Sequence, residues 1–197
     1  MTLLQPRINY KLSANDYWTL ISSFFKKESR PSNLEQLFIN YEIHFFDKAR
    51  NGLRFILQNI GIENARVGVQ VLTCPTVIEA IYLAKCNPVF IDITSDYIIS
   101  EIDLKNKLDS IDVLILTHTF GINANASEIK SILKNKILIE DCAHALLTLD
   151  NDGHLVGNIG DFSLFSFGFG NVPNSIFAKS ETKSVNIIKL STFAATI

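Results

Sequence analysis

From Tyr41 onward, short unbroken apolar runs alternate with stretches whose apolar positions recur every three or four residues. An unbroken run bounded by polar residues marks a strand buried on both faces, whereas a three-to-four repeat marks a helix with one buried face. This pattern predicts strands over 67–73, 88–93, 113–117 and the run Ile137-Leu138-Ile139 leading to Asp141. His44-Phe45-Phe46 leads into a first helix over 53–60, which stops at Gly61. Further helices are predicted over 75–85, opened by Pro75, and over 102–108 and 127–133. Strands alternating with helices predict an α/β fold, a mostly parallel sheet with helices on both faces.

The pattern differs at the two ends. Over 16–27, Tyr17, Leu20, Ile21, Phe24 and Phe25 fall at helical spacing, and 34–39 reads as a second short helix. Residues 1–40 are therefore expected to form an N-terminal helical segment that packs on the parent domain or on a partner subunit. Residues 41–197 are expected to form the main domain. After Ala145 the rhythm changes: Asp150-Asn151-Asp152-Gly153 reads as a hairpin turn, and 161–167 alternates at period two. A loop follows over Gly168-Phe169-Gly170-Asn171, and the polar tail to Ile197 carries no clear pattern.

Composition narrows the class. Hydrophobic content of 47% against 19% charged residues belongs to a chain that folds, not one that stays disordered. A net charge of −2 gives no electrostatic reason to expect nucleic acid or an anionic membrane as partner. Cys74, Cys86 and Cys142 are odd in number and lie in apolar segments, the usage expected of reduced thiols. No apolar run reaches the length of a membrane span, and no charged leader precedes an apolar core. A cytoplasmic protein is expected.

Three places could carry chemistry. Asp141 closes an apolar strand with His144 just beyond it, where parallel sheets gather their ligands. The competing reading makes Asp141 the cap of a following helix. Ala49 and Arg50 stand at a helix start, where free N–H groups and the helix dipole suit a phosphate. Ser166 precedes a glycine-rich loop and could add a hydroxyl donor. No metal site is predicted.

Five segments in order carry a resemblance: Leu72-Thr73-Cys74-Pro75-Thr76-Val77, Pro88-Val89-Phe90-Ile91-Asp92-Ile93, His118-Thr119-Phe120-Gly121, Ile139-Glu140-Asp141-Cys142-Ala143-His144 and Gly160-Asp161-Phe162-Ser163-Leu164-Phe165-Ser166-Phe167. From about Phe46 to about Asn171 the chain resembles the nucleotide-sugar aminotransferases of DegT/StrS type, which are fold-type I pyridoxal-phosphate enzymes. The resemblance implies pyridoxal 5'-phosphate as cofactor and a keto sugar linked to a nucleotide as substrate. It also implies a homodimer. Asp141 matches the aspartate that pairs with the cofactor's pyridine nitrogen, and His144 the position beside its phenolic oxygen. Ala49 and Arg50 match the pair whose backbone N–H groups hold the phosphate, and Ser166 a serine that reaches the same group. Thr73 and Cys74 fall in the segment that lies against the ring.

The chain departs from that family at one decisive position. Asn171 stands where the family carries the lysine that attaches the cofactor, and an amide nitrogen is neither a nucleophile nor a proton-shuttling base. Lys179 and Lys183 follow too late to replace it without rebuilding the loop. The family is also roughly twice as long, so the main domain is expected to be an incomplete fold-type I large domain with its small C-terminal domain absent. The expected function is that of a family member inactive in transamination, without covalent attachment of cofactor. The alternatives are a non-catalytic subunit that pairs with a homologue, a truncated gene product, and an unrelated α/β domain.

Overall fold

The computed structural model describes Ala14, Trp18, and residues 41–146, 148–153, 155–166 and 175–180. The chain divides into two compact units, Met1–Leu37 and Phe38–Ile197, and every element below belongs to the second. Ala14 and Trp18 are helical; the rest of the expected N-terminal helical segment lies outside the described residues, as does Asn171.

Among the described residues seven strands form one sheet: β1 Tyr41–Phe46, β2 Arg66–Gln70, β3 Asn87–Ile91, β4 Val113–Thr117, β5 Ile137–Asp141, β6 Phe162–Ser166 and β7 Ser175–Ser180. Their order is β1-β7-β6-β5-β4-β2-β3. β6, β5, β4, β2 and β3 are parallel neighbours, and β7 alone runs against both of its neighbours, β6 and β1. The weakly patterned tail thus supplies a strand that periodicity did not predict.

Among the described residues four helices cover the sheet: α1 Ala49–Asn59, α2 Pro75–Leu83, α3 Glu101–Lys107 and α4 Ala126–Leu133. Side-chain alternation along the strands separates two cores. Val67 and Val69, Val113 and Ile115, Ile139, and Phe162 and Leu164 face α1 and α2, meeting Leu53, Ile56 and Leu57 of the first helix and Val77, Ala80 and Ile81 of the second. Leu114, Leu116 and Leu138 point the other way, toward Leu104 of α3 and Ile129 and Leu133 of α4. Burial on both faces is why these strands read as unbroken apolar runs.

Two boundaries differ most from the sequence reading. α1 begins at Ala49, four residues earlier than predicted, because the polar stretch Ala49–Gly52 already forms its first turn. β2 ends at Gln70, not Thr73, so Thr73 and Cys74 lie in the connection to α2, with Cys74 at its N-cap. Val71 and Leu72 continue the apolar run but stand exposed beyond the ladder. The predicted turn at 150–153 is present: Gly153 N–H donates to the Asp150 carbonyl at 3.2 Å, beneath an antiparallel bridge between Leu149 and Leu155.

Candidate functional site

The carboxyl ends of β2, β4, β5 and β6 meet along one edge of the sheet. Asp141 is the last residue of β5, in register with Thr117 of β4 and Leu164 of β6. By alternation from Ile139 its side chain shares the face covered by α1 and α2. Ser166 lies two residues beyond Leu164 on that face, and Leu164 packs against Gly52 in the first turns of α1: a Cβ there would lie 3.2 Å from its Cδ1. Topology therefore brings Asp141, Ser166 and the start of α1 together.

Asp141 is buried, and one of its oxygens accepts the Ala143 N–H at 3.1 Å. Among the described residues the other oxygen takes no hydrogen bond. Burial pushes its pKa up, against the opposing pull of the Ala143 bond and of His144 and His118 nearby. A carboxylate in this position is costly until a cation reaches it. No helix follows β5 among the described residues, so Asp141 is not the helix cap of the competing reading.

Other polar atoms at these strand ends are buried and without a hydrogen-bond partner among the described residues: Thr73 Oγ1, Thr117 Oγ1 at the end of β4, Thr119 Oγ1 and, on the opposite face by alternation from Val69, Gln70 Nε2 at the end of β2. Buried polar atoms are normally satisfied, so unpartnered ones beside Asp141, such as Thr117 Oγ1, suit a polar ligand. At α1, Lys48 is the N-cap and makes no side-chain cap; its own N–H donates to Asp47 Oδ1 at 2.8 Å. The N–H groups of Ala49 and Arg50 take no partner among the described residues. The Arg50 guanidinium is engaged elsewhere, with Nη1 on Glu79 Oε2 of α2 at 2.7 Å, so this residue offers its backbone and not its charge. The Asp47 carboxylate shares the same helix end, and its Oδ1 also accepts from Asn51 Nδ2.

His144 is exposed, and its ring lies parallel to Phe120 with centroids 6.3 Å apart. Thr73 is half-buried and Cys74 exposed, with the Thr76 hydroxyl 3.1 Å from the Cys74 sulfur.

Sequence reasoning passed over two residues on the opposite face. Glu140 and His118 are completely buried, and His118 Nε2 lies 3.0 Å from Glu140 Oε2. His118 Nδ1 accepts the Ala124 N–H, which leaves the ring proton on Nε2 and makes it the donor to Glu140. Glu140 Oε2 also accepts the Gly157 N–H, and Oε1 accepts those of Ile159 and Gly160. Strand parity was the available signal: beside Asp141, in a strand buried on both sides, Glu140 must point into the other core and be satisfied there. Cys142 brings its sulfur within 4.8 Å of the same histidine and carboxylate atoms. Its thiol pKa is pushed well up by burial and by the carboxylates of Glu140 and Asp141. The histidine and carboxylate are already committed to each other and to backbone N–H groups, so the cluster reads as a hydrogen-bonded core junction.

The profile of the DegT/DnrJ/EryC1/StrS aminotransferase family matches residues 46–171. No curated protein matches the chain. Among solved structures, Helicobacter pylori PseC, an aminotransferase involved in the biosynthesis of pseudoaminic acid, superposes with a TM-score of 0.76 at 15% identity, covering 87% of this chain and 51% of that one. Spr1654 from Streptococcus pneumoniae in its PLP form, a candidate sugar aminotransferase, gives 0.73 at 18% identity over 89% and 52%. A DegT DnrJ EryC1 StrS aminotransferase from Brucella abortus gives 0.70 at 18% over 84% and 50%. At these identities the superpositions establish the fold, and the chain spans about half the length of the structures it matches. With the profile covering most of the chain from the end of β1 through β6 and beyond, the protein belongs to the DegT/DnrJ/EryC1/StrS aminotransferase family.

Proposed function

We propose that this chain binds pyridoxal 5'-phosphate at the carboxyl edge of its sheet, without covalent attachment, and does not itself transfer an amino group. The observation that carries the reading is Asp141, a buried carboxylate at the end of a central strand with one oxygen unpartnered among the described residues. A protonated ring nitrogen is the cation that would relieve its burial, and Asp141 would hold that proton in place. The unpartnered N–H groups of Ala49 and Arg50 and the Ser166 hydroxyl would take the phosphate. His144 would stand beside the phenolic oxygen, and Thr73 and Cys74 would lie against the ring. When bound, the cofactor supplies an electron sink for amino-group transfer.

The position that decides activity in this reading is Asn171, taken as the counterpart of the family's cofactor-attaching lysine. Its amide neither attacks an aldehyde nor shuttles a proton, so the chain is proposed to lack transaminase activity. The substrate class associated with this site is a keto sugar linked to a nucleotide, with glutamate as amino donor for active relatives.

Titration of the purified protein with pyridoxal phosphate tests the reading by absorbance. The expected result is saturable binding, reversed by dialysis and not fixed by borohydride. In Asn171→Lys the cofactor should become fixed by borohydride. Failure of the folded wild-type protein to bind the cofactor overturns the proposal, and so does covalent attachment to it. A second reading, a non-catalytic subunit that pairs with a second copy or a homologue, is favoured by the exposed apolar residues along this same edge, among them Leu72, Phe120 and Leu146. Co-expression with a full-length relative tests it, and absence of co-purification counts against the heteromeric form.

A further inference from the structure

Glu140 gathers two separate segments on one buried carboxylate. His118 just past β4 donates from its ring, and Gly157, Ile159 and Gly160, ahead of β6, donate from their backbone. Both oxygens are thereby saturated, each with two donors. The residue points away from the cofactor face, since Asp141, its neighbour in a strand, points the other way.

What this junction could do follows from the connection it holds. β5 and β6 are joined by residues 142–161, with no covering helix among the described ones. In most parallel pairs a packed crossover helix fixes how the second strand sits against the first. Here that task falls on polar contacts. Asp161 Oδ2 takes the Leu138 N–H at 2.8 Å and the Lys130 ammonium, securing the entry to β6. Glu140 secures the preceding loop and, at the same point, the end of β5. The His118 N–H donates to the Asp141 carbonyl at 3.1 Å, so the residue whose ring Glu140 holds also holds the Asp141 peptide. Strand ends fray unless tied, and Asp141 is the last residue of its strand.

We infer that Glu140 is a positioning residue: by binding His118 and the 157–160 loop it fixes the Asp141 carboxylate and its spacing to Ser166. The inference rests on the proposal that this edge binds pyridoxal phosphate, with Asp141 and Ser166 as contacts. Glu140 itself touches no ligand. Glu140→Gln tests it, because an amide NH2 replaces an acceptor that faces two donors while the strand ladder and the Asp161 contacts remain.

Backbone hydrogen exchange and pyridoxal phosphate titration are measured on the full chain. The expected result is exchange at least tenfold faster at Gly157, Ile159 and Gly160, and also at His118 and Ala143, whose N–H groups bind Asp141. Val67 and Ile115 in the far ladder should not change, and the cofactor dissociation constant should rise at least tenfold. Asp112→Asn is the control. It breaks the Arg66 pair at the amino ends of β2 and β4, away from the carboxyl edge and from every Glu140 contact, and should leave cofactor affinity within twofold.

Faster exchange confined to 157–160, with cofactor affinity unchanged, would make Glu140 purely structural and overturn the inference. If Glu140→Gln does not fold, the wild-type protein provides the test. Saturating cofactor must then slow exchange at Gly157, Ile159 and Gly160 as well as at Ala143, because coupling between two sites is reciprocal. Slowing at Ala143 alone overturns the inference. Wild-type protein that binds no cofactor overturns the cofactor reading and this inference with it, whereas wild type and variant binding equally well overturns only the latter.

Discussion

At Asp141 the folded protein works against itself. Burial raises the pKa of this carboxyl above its ordinary value, so the folded state binds the proton more tightly than the unfolded chain does. The sign follows directly. Below the unfolded pKa of about 3.9 both states are protonated and nothing is lost. As pH rises from there toward the raised folded value, stability falls, so at neutral pH the unliganded protein is penalised. Asp141→Asn removes the charge while keeping an oxygen for the Ala143 N–H. This variant should therefore unfold at a higher temperature than wild type at pH 7, each kcal/mol gained reading as about 2–4 °C for a chain of this size. The advantage should shrink as pH is lowered toward about 4, near the unfolded carboxyl's own range. Its affinity for pyridoxal phosphate should fall at least tenfold. Thermal melts across that pH range and a cofactor titration check both halves. A variant no more stable than wild type at pH 7 would mean that the carboxylate is already compensated without a ligand.

Between elements, the same carboxylate chemistry has the opposite sign. β2 and β4 are joined at their amino ends by Arg66 and Asp112: Nη2 meets Oδ1 at 2.7 Å, while Nε and the backbone N–H both reach Oδ2. Arg66 hydrogen bonding holds the Asp112 carboxyl below its ordinary pKa. A depressed pKa stabilises the fold above the unfolded value, and that stabilisation is lost as pH falls through the folded one. The arginine is about half exposed, so solvent screens the pair, though the paired bonds place it toward the upper end for surface pairs. Asp112→Asn should cost about 1 kcal/mol at neutral pH and progressively less as pH falls below about 4. Denaturant unfolding at both pH values measures the difference. Such element-level features were unevenly legible in the sequence. The strand at Val113–Thr117 and the run ending in Asp141 were plain, because burial on both faces leaves no polar position to blur the pattern. β2 was overextended, since Val71 and Leu72 carry on its apolar run without being buried. The strand at Ser175–Ser180 gave no warning, its six residues mixing serine and lysine with apolar positions. Asp141 was found as a strand-end acid, while Glu140 was passed over because its role lies in partners contributed by segments distant in sequence.

For the main unit as a whole, the feature that ties fold to function is the apolar rim at the carboxyl edge. Val71 and Leu72 follow β2, Tyr97 follows β3, Phe120 and Ile122 follow β4, and Leu146 follows β5. Tyr97 is 50% exposed and Phe120 67%, with their rings meeting edge to face at 5.8 Å. Both hold positive φ, +64° and +57°, a conformation unfavourable for large side chains and therefore sustained by the surrounding structure. Exposed apolar residues gathered along one edge are a surface that association would bury. The same edge carries Asp141, so a second copy seated there would also close water out of the proposed cofactor site. The chain is therefore expected to self-associate, with sedimentation velocity showing a concentration-dependent dimer. Phe120→Asp should weaken that dimer at least tenfold, the effect of losing a well-placed aromatic anchor. The substitution suits the backbone, because aspartate tolerates positive φ better than phenylalanine does. Far-UV circular dichroism should therefore stay native while the dimer dissociates. Pyridoxal phosphate affinity should fall in step with the dimer. If cofactor affinity were unchanged in a wholly monomeric variant, the rim and the site would be independent features of one edge, and the dimer would owe nothing to cofactor binding.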